Sequence, residues 1–138
     1  MIIGAGALVY AKETHRALFL LRNNTKTRGT WGIPGGKIVE SESIITGLHR
    51  ELFEELGVNL SFTKYYPLDV YTSPDDKFKY YSFLLQIENE FLPILNNEHS
   101  GYCWTKLDKF PKPLHPGLFS TLNISVIQEK IKIIEETL

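Results

Sequence analysis

Apolar and polar positions fall into blocks of two kinds along the chain. Ile2–Ala11 is a run of β-branched and small residues with two glycines, and Arg16–Arg22 is a short apolar run between polar flanks. Both predict strands, joined by a turn at Glu13-Thr14-His15. Residues 23–31 are polar and contain Gly29, which predicts a loop. Ile33-Pro34-Gly35-Gly36-Lys37 predicts a rigid corner followed by two permissive residues. At residues 43–56 the apolar period lengthens to that of a helix. Ile45, Leu48, Leu52 and Leu56 form one stripe, Ser43 is the N-cap ahead of the weaker choice Ser41, and Gly57 is the C-cap. Strand-like runs follow at 62–72, 79–88 and 101–106, the first two separated by a turn at Pro74-Asp75-Asp76-Lys77. Pro111, Pro113 and Pro116 punctuate a loop. Residues 124–138 predict an amphipathic helix with Ile124, Ile127, Ile131, Ile134 and Leu138 on one stripe. The alternation predicts an α/β fold, a mixed sheet with helices on both faces, in a single domain over residues 1–138.

The polar side of the first helix carries the candidate chemistry. Glu51, Glu54 and Glu55 are three and four residues apart, so their side chains are neighbours, and like charges at this spacing repel. Arg50, four residues before Glu54, compensates in part. Three crowded carboxylates suit a divalent cation, and magnesium prefers oxygen ligands of this kind. On carboxylate spacing alone, a solvated acidic face is the favoured reading of this helix. The preceding turn changes the balance: Gly35-Gly36 lets backbone approach a ligand closely, and Lys37 adds a local cation for a phosphate.

Composition narrows the classes. The chain has 138 residues, 43% hydrophobic and 22% charged, enough for one ordinary core. A formal net charge of -1 gives no global basic field for nucleic acid or membrane, so a substrate phosphate must be met by local cations or by metal. The one cysteine, Cys103, excludes an internal disulfide and a thiolate zinc cluster, and suits a reducing, cytoplasmic setting. No run approaches a membrane span, and Met1-Ile2-Ile3 has no basic region before it, so no targeting segment is expected.

Residues 36–58 read Gly36, five residues, Glu42, seven residues, then Arg50-Glu51-Leu52-Phe53-Glu54-Glu55-Leu56-Gly57-Val58. This resembles the Nudix box of the MutT-like hydrolases at every defining position. Trp31 to Lys37 is similar to the usual lead-in, and Gly47 and Leu48 are mild departures where the family often has alanine. The resemblance implies the Nudix fold, an α/β/α sandwich around a mixed sheet. It also implies magnesium- or manganese-dependent hydrolysis of a nucleoside diphosphate linked to another group. Carried over by position, Glu54 and Glu55 are metal ligands, Glu51 is a ligand or the water-activating base, and the Gly35 carbonyl is a further ligand. Glu42 and Arg50 pair to orient the loop against the helix, with Gly36 and Gly57 as structural positions. Glu98, in the polar stretch Asn96-Asn97-Glu98-His99-Ser100-Gly101, matches the loop acid that reaches the metals or serves as base in many members.

Outside the box, Arg22 at a strand end is a candidate phosphate grip, with a solvated strand end as the other reading. His99 reads as a bystander, and His15, His49 and His115 as structural or exposed. Trp31, Tyr71, Phe78, Tyr80 and Tyr81 are candidates for a base-stacking platform or core. Pro74 resembles a marker of ADP-ribose-type members and gives a slight lean to a nucleotide sugar. Dinucleoside polyphosphates, nucleoside triphosphates and an RNA 5′ end stay open, as does a non-catalytic Nudix domain that binds nucleotide or protein. Such domains typically lose box carboxylates that this chain keeps. The expected partner is a small nucleotide, with no membrane and no nucleic acid beyond an RNA end, and the protein is expected to be a monomer or homodimer.

Overall fold

The computed structural model describes residues 1–61 and 64–137. Seven strands, β1 (Ile2–Ala11), β2 (Arg16–Arg22), β3 (Trp31–Gly32), β4 (Gly35–Lys37), β5 (Lys64–Thr72), β6 (Phe78–Ile87) and β7 (His99–Thr105), form one sheet. Three helices join them: α1 (Ile44–Leu56), α2 (Pro116–Leu122) and α3 (Ser125–Thr137). The sheet is mixed. β1 and β6 run parallel from Ile2↔Phe78 to Ala11↔Ile87, and the other pairings between these strands are antiparallel.

Strand parity sorts the apolar residues into two layers, because successive side chains point to opposite faces. Ala5, Ala7, Val9, Phe83 and Leu85 pack on one face against Leu48, Leu52 and Leu56 of α1. Leu8, Tyr10, Phe19 and Leu84 pack on the other against Leu122 of α2 and Ile127, Ile131 and Ile134 of α3. The result is the expected α/β/α sandwich. No helix among the described residues is long and apolar enough to cross a membrane.

β1 and β2 meet only at Tyr10↔Ala17 and Ala11↔Arg16. Beyond that they separate. β4 lies along β1 at Gly4↔Lys37 to Gly6↔Gly35, and β3 lies along β2 at Leu20↔Gly32. This split positions the site.

Several details differ from the sequence reading. The glycine corner is itself a strand, β4, because Gly35 and Gly36 pair with β1. Trp31 opens β3 instead of closing a loop. β6 starts one residue early, and β7 starts at His99, since Arg22 pairs with it across a bulge. The proline-punctuated stretch contains α2, with Pro116 in its first turn where a missing N–H costs nothing, and with His115 Nδ1 accepting the Gly117 N–H at 3.1 Å. Ile124 precedes α3 and is 45% exposed, so it leaves the buried stripe. Leu138 and the strand start at Phe62 and Thr63 lie outside the described residues.

Candidate active site

α1 is fixed at both ends. The Ser43 hydroxyl accepts the Thr46 N–H at 3.2 Å, worth about 1 kcal/mol for a cap of this type. At the other end Gly57 adopts φ 69°, and a Cβ there would lie 2.7 Å from the Ile94 Cβ. That close approach brings the 94–98 segment onto the helix end. The Ile94 N–H donates to the Leu56 carbonyl at 2.8 Å, and Asn96 Nδ2 donates to that of Glu54 at 3.4 Å. The segment thereby satisfies free C-terminal carbonyls and carries Glu98 over the helix.

Glu55 belongs to the buried side of α1, against the helical wheel's prediction of a shared polar face. It is 3% exposed, and its Oε1 accepts the Gly35 N–H at 2.6 Å. Burial, reinforced by Glu98 and Glu51, pushes its pKa up to about 8 against the opposing Gly35 N–H and Arg22. His99 Nδ1 lies 3.4 Å from Glu55 Oε2. Burial, helped by Arg22, lowers the imidazole to about 4, so the contact joins a neutral histidine to a carboxyl and is not an ion pair. His99 Nδ1 is buried with no hydrogen-bond partner among the described residues. Ligand atoms of Glu55, Glu98 and His99 lie within 4.8 Å of one another. Two carboxylates and an unpaired neutral imidazole nitrogen, with burial disfavouring uncompensated charge, fit a divalent cation.

The other box residues take different places. Glu51 lies against β4: a Cβ on Gly36 would sit 2.3 Å from its Oε2, so any larger residue there would displace the carboxylate from this position. Burial raises the Glu51 pKa, while Arg50 at 3.0 Å lowers it. Glu54 is exposed, meets Arg50 at 3.3 Å, and is outside the three-residue group. Arg50 grips Glu42 through two bonds, 2.7 and 2.9 Å, and donates to the Lys37 carbonyl at 3.0 Å, tying β4 to the helix. That pairing, with the Val39 N–H, holds Glu42 down at about 2. Gly35 packs so closely on β1 that a Cβ would fall 2.2 Å from the Ala5 carbonyl oxygen. Gly47, a departure from the usual box, meets side chains only, with the Ile38 Cδ1 at 2.6 Å from a Cβ.

Two cavities meet here. A cavity of about 290 Å³ is lined by Gly35, Gly36, Glu55, Glu98, His99 and Arg22 among others. A second of about 700 Å³ opens beyond it, and both are bounded by Arg22, Ile33 and Tyr80. Arg22 is set by its Nε bond to Thr27 at 2.7 Å. Lys37 is exposed and lines neither cavity. Tyr71, Phe78 and Tyr80 wall the larger one, whereas Trp31 and Tyr81 pack on the two cores. The Tyr80 hydroxyl, pushed up to about 12 by burial and the nearby carboxylates, lies over Gly6. His99 escaped sequence reasoning because its place follows from the Arg22↔His99 pairing, a tertiary register that no local pattern encodes. His115, read as structural or exposed, caps α2 and lines the larger cavity.

The family model described as the NUDIX domain matches residues 2–123. Among curated proteins, the 8-oxo-dGTP diphosphatase of Buchnera aphidicola is 33% identical over 69 residues, 50% of this chain and 55% of that protein. The chain thus spans about half of that relative. The dihydroneopterin triphosphate diphosphatase of Haemophilus influenzae is 29% identical over 117 residues, covering 74% of this chain and 72% of the relative. Among solved structures, the NUDIX domain of Shewanella oneidensis NrtR complexed with ADP ribose superposes with a TM-score of 0.74 at 20% identity, over 95% of this chain and 88% of that one. At that identity the likeness is one of fold. With Gly36 and Glu55 of the box lining one cavity and the family model spanning nearly all of its length, this chain belongs to the Nudix hydrolase family.

Proposed function

We propose that the protein hydrolyses a phosphoanhydride bond of a nucleotide, with the phosphates in the smaller cavity and the nucleoside in the larger. The observation that carries this is the meeting of the Glu55, Glu98 and His99 group with an aromatic-walled chamber across a shared boundary of Arg22, Ile33 and Tyr80. Glu55, Glu98 and His99 would hold magnesium or manganese, with Glu51 and the Gly35 carbonyl beside them and Glu54 joining if Arg50 releases it. The ion, when bound, neutralises diphosphate charge and stabilises charge on the leaving oxygen. Arg22 grips a phosphate oxygen pair at the boundary. Glu98, the exposed member of the group, takes the proton of the attacking water. Glu51 is less suited to that task, because Arg50 holds its carboxylate against Gly36. Arg50 and Glu42 orient β4, and the buried walls exclude competing water.

Two relatives are named for hydrolysing triphosphates of fused-ring heterocycles, 8-oxo-dGTP and dihydroneopterin triphosphate. They support a nucleoside triphosphate, or a nucleoside diphosphate linked to another group. The ADP ribose of the Shewanella complex keeps a nucleotide sugar as the second reading. Pro74 lies in the β5–β6 turn and lines neither cavity, so it does not select that sugar by contact. The test is a panel of both substrate classes with magnesium or manganese, products resolved by chromatography. Metal-dependent release from one class, abolished by EDTA, is expected. Turnover unaffected by EDTA would sink the mechanism, and binding without turnover would leave a non-catalytic domain.

A further inference from the structure

We infer that Asp69 selects the nucleobase, accepting hydrogen bonds from the paired N–H donors of a guanine-type, 2-amino-oxo edge; this rests on the nucleotide reading of the larger cavity. The inference begins with a bulge. Tyr66 pairs with Leu84 and Pro67 with Phe83, but Asp69, not Leu68, pairs with Ser82. Strict alternation from Tyr66 would put Leu68 and Val70 on the chamber face and turn Asp69 away. The extra residue reverses the parity beyond it. Asp69 and Tyr71 therefore line the chamber, and Val70 is turned out, 51% exposed. Lys130 Nζ donates to the Leu68 carbonyl at 3.0 Å and fixes the bulge from α3. The local backbone irregularity thus exchanges a valine for a carboxylate in an aromatic-walled cavity.

That carboxylate has no hydrogen-bond or ion-pair partner among the described residues. Its surroundings specify what it meets. Tyr71, Phe78 and Tyr80 line the same face, with ring centroids 6.4 Å apart for the first pair and 6.2 Å for the second, a surface on which a planar base stacks. Ser82, the direct cross-strand partner of Asp69, brings a hydroxyl to the same cavity. A carboxylate beside a hydroxyl offers two acceptors and a donor, the complement of guanine's N2–H, N1–H and O6. Adenine presents a lone pair at N1, which a carboxylate repels.

Position distinguishes the base from the ribose. Gly35, Gly6, Ser82 and Asp69 lie in one cross-strand row, and the Gly35 N–H is held by Glu55. Three strand spacings of ~4.8 Å place Asp69 roughly 14 Å from the phosphate end. Ribose hydroxyls lie only a few bonds from the 5′ phosphate, whereas the hydrogen-bonding edge of the base is the far end of the nucleotide.

The test is calorimetric binding of GMP, IMP and AMP to the metal-free protein, which does not depend on hydrolysis. GMP is expected to bind at least ten-fold more tightly than AMP, with IMP, which lacks the 2-amino donor, between them. Asp69→Asn keeps the shape but presents one donor and one acceptor, so it can no longer accept N1–H and N2–H together and can pair with adenine's N1 and N6–H; the preference for GMP over AMP should shrink at least ten-fold and the preference for GMP over IMP should disappear. Equal affinity of the wild type for all three would overturn the inference without using a variant, and so would equal weakening of all three in Asp69→Asn. A penalty for removing the ribose hydroxyls that disappears in Asp69→Asn would assign the carboxylate to the sugar and also overturn it. Loss of the hydrolytic reading would appear separately, as guanine-selective binding with no metal-dependent turnover.

Discussion

The two halves of the site are built by different means. The proposed phosphate end is largely local: β4, α1 and the turn between them supply Gly35, Gly36, Glu51 and Glu55 from one short stretch, Arg50 with Glu42 locks the pieces together, and the β2–β7 pairing adds Arg22, Glu98 and His99. The base chamber is assembled from distant strands, the β5 bulge and the first turn of α2. One half centres on the buried carboxyl of Glu55. The other is wider, aromatic and held by sheet register. Chemistry and selectivity should therefore separate under mutation, and the following experiments try to break that separation.

The largest effect belongs to Glu55→Gln. It removes the central carboxylate while keeping its shape and leaving Leu52 and Leu56 in place, and should lower kcat by at least about 10³-fold, within the range for loss of a preorganised electrostatic group. The preference of the metal-free variant for GMP over AMP should be unchanged. A kcat near that of the parent would remove Glu55 from the metal site, and a parallel loss of that preference would show that the halves are not independent.

Gly36→Ala comes next. The added Cβ would meet the Glu51 carboxylate at 2.3 Å, so the side chain or β4 must shift. A displacement of this scale in a positioned group costs about 10²-fold in kcat. Steady-state kinetics with an unchanged KM are expected. If KM rises and kcat holds, Gly36 contacts substrate instead of making room for Glu51.

Tyr71→Ala addresses the other half. Tyr71 is half exposed and edges the chamber, and loss of one stacking face costs ~1–3 kcal/mol. KM should rise about ten-fold with kcat preserved, the reverse of the Gly36 result. A fall in kcat alone would place Tyr71 in the chemistry.

The same division governs what the sequence discloses. β1, β2, α1 with its Ser43 and Gly57 caps, and the Glu42 to Val58 spacing are local patterns, and each was readable from period and residue type. Glu55's burial was not, because a wheel counts carboxylates as polar and does not show that the Gly35 N–H waits on the buried side. His99 and Asp69 each owe their position to a bulge, at Leu21/Arg22 and at Pro67/Asp69, and a one-residue shift in pairing leaves no mark in composition. α2 was hidden by prolines, which read as loop until one of them is recognised in a first turn. Lys37 adjoins the glycines in sequence, yet alternation along β4 sends its side chain to solvent.

The smallest effect is a pH dependence of the metal-free protein, and it isolates the buried carboxyl. Glu55 goes from an ordinary 4.5 when unfolded to about 8 when folded. Between those values the unfolded chain has released a proton that the folded chain retains, so stability falls as pH rises through the window. His99 works oppositely, dropping from 6.5 to about 4 on folding. Between 4 and 6.5 the unfolded chain binds a proton that the folded chain refuses, so this contribution makes stability rise with pH. The two oppose each other below pH 6.5, and above it only the Glu55 contribution continues. Tm of the metal-free protein should therefore fall from pH 6.5 to 8, the unfolding free energy losing at most about 1.4 kcal/mol per pH unit. Glu55→Gln should flatten that decline, and so should saturating magnesium, which favours the ionised carboxylate. A parent Tm that is constant or rising over this range, or a decline that survives in Glu55→Gln, would mean that the Glu55 proton is not held by burial, and the contrast between a desolvated phosphate end and an open base chamber would lose its electrostatic basis.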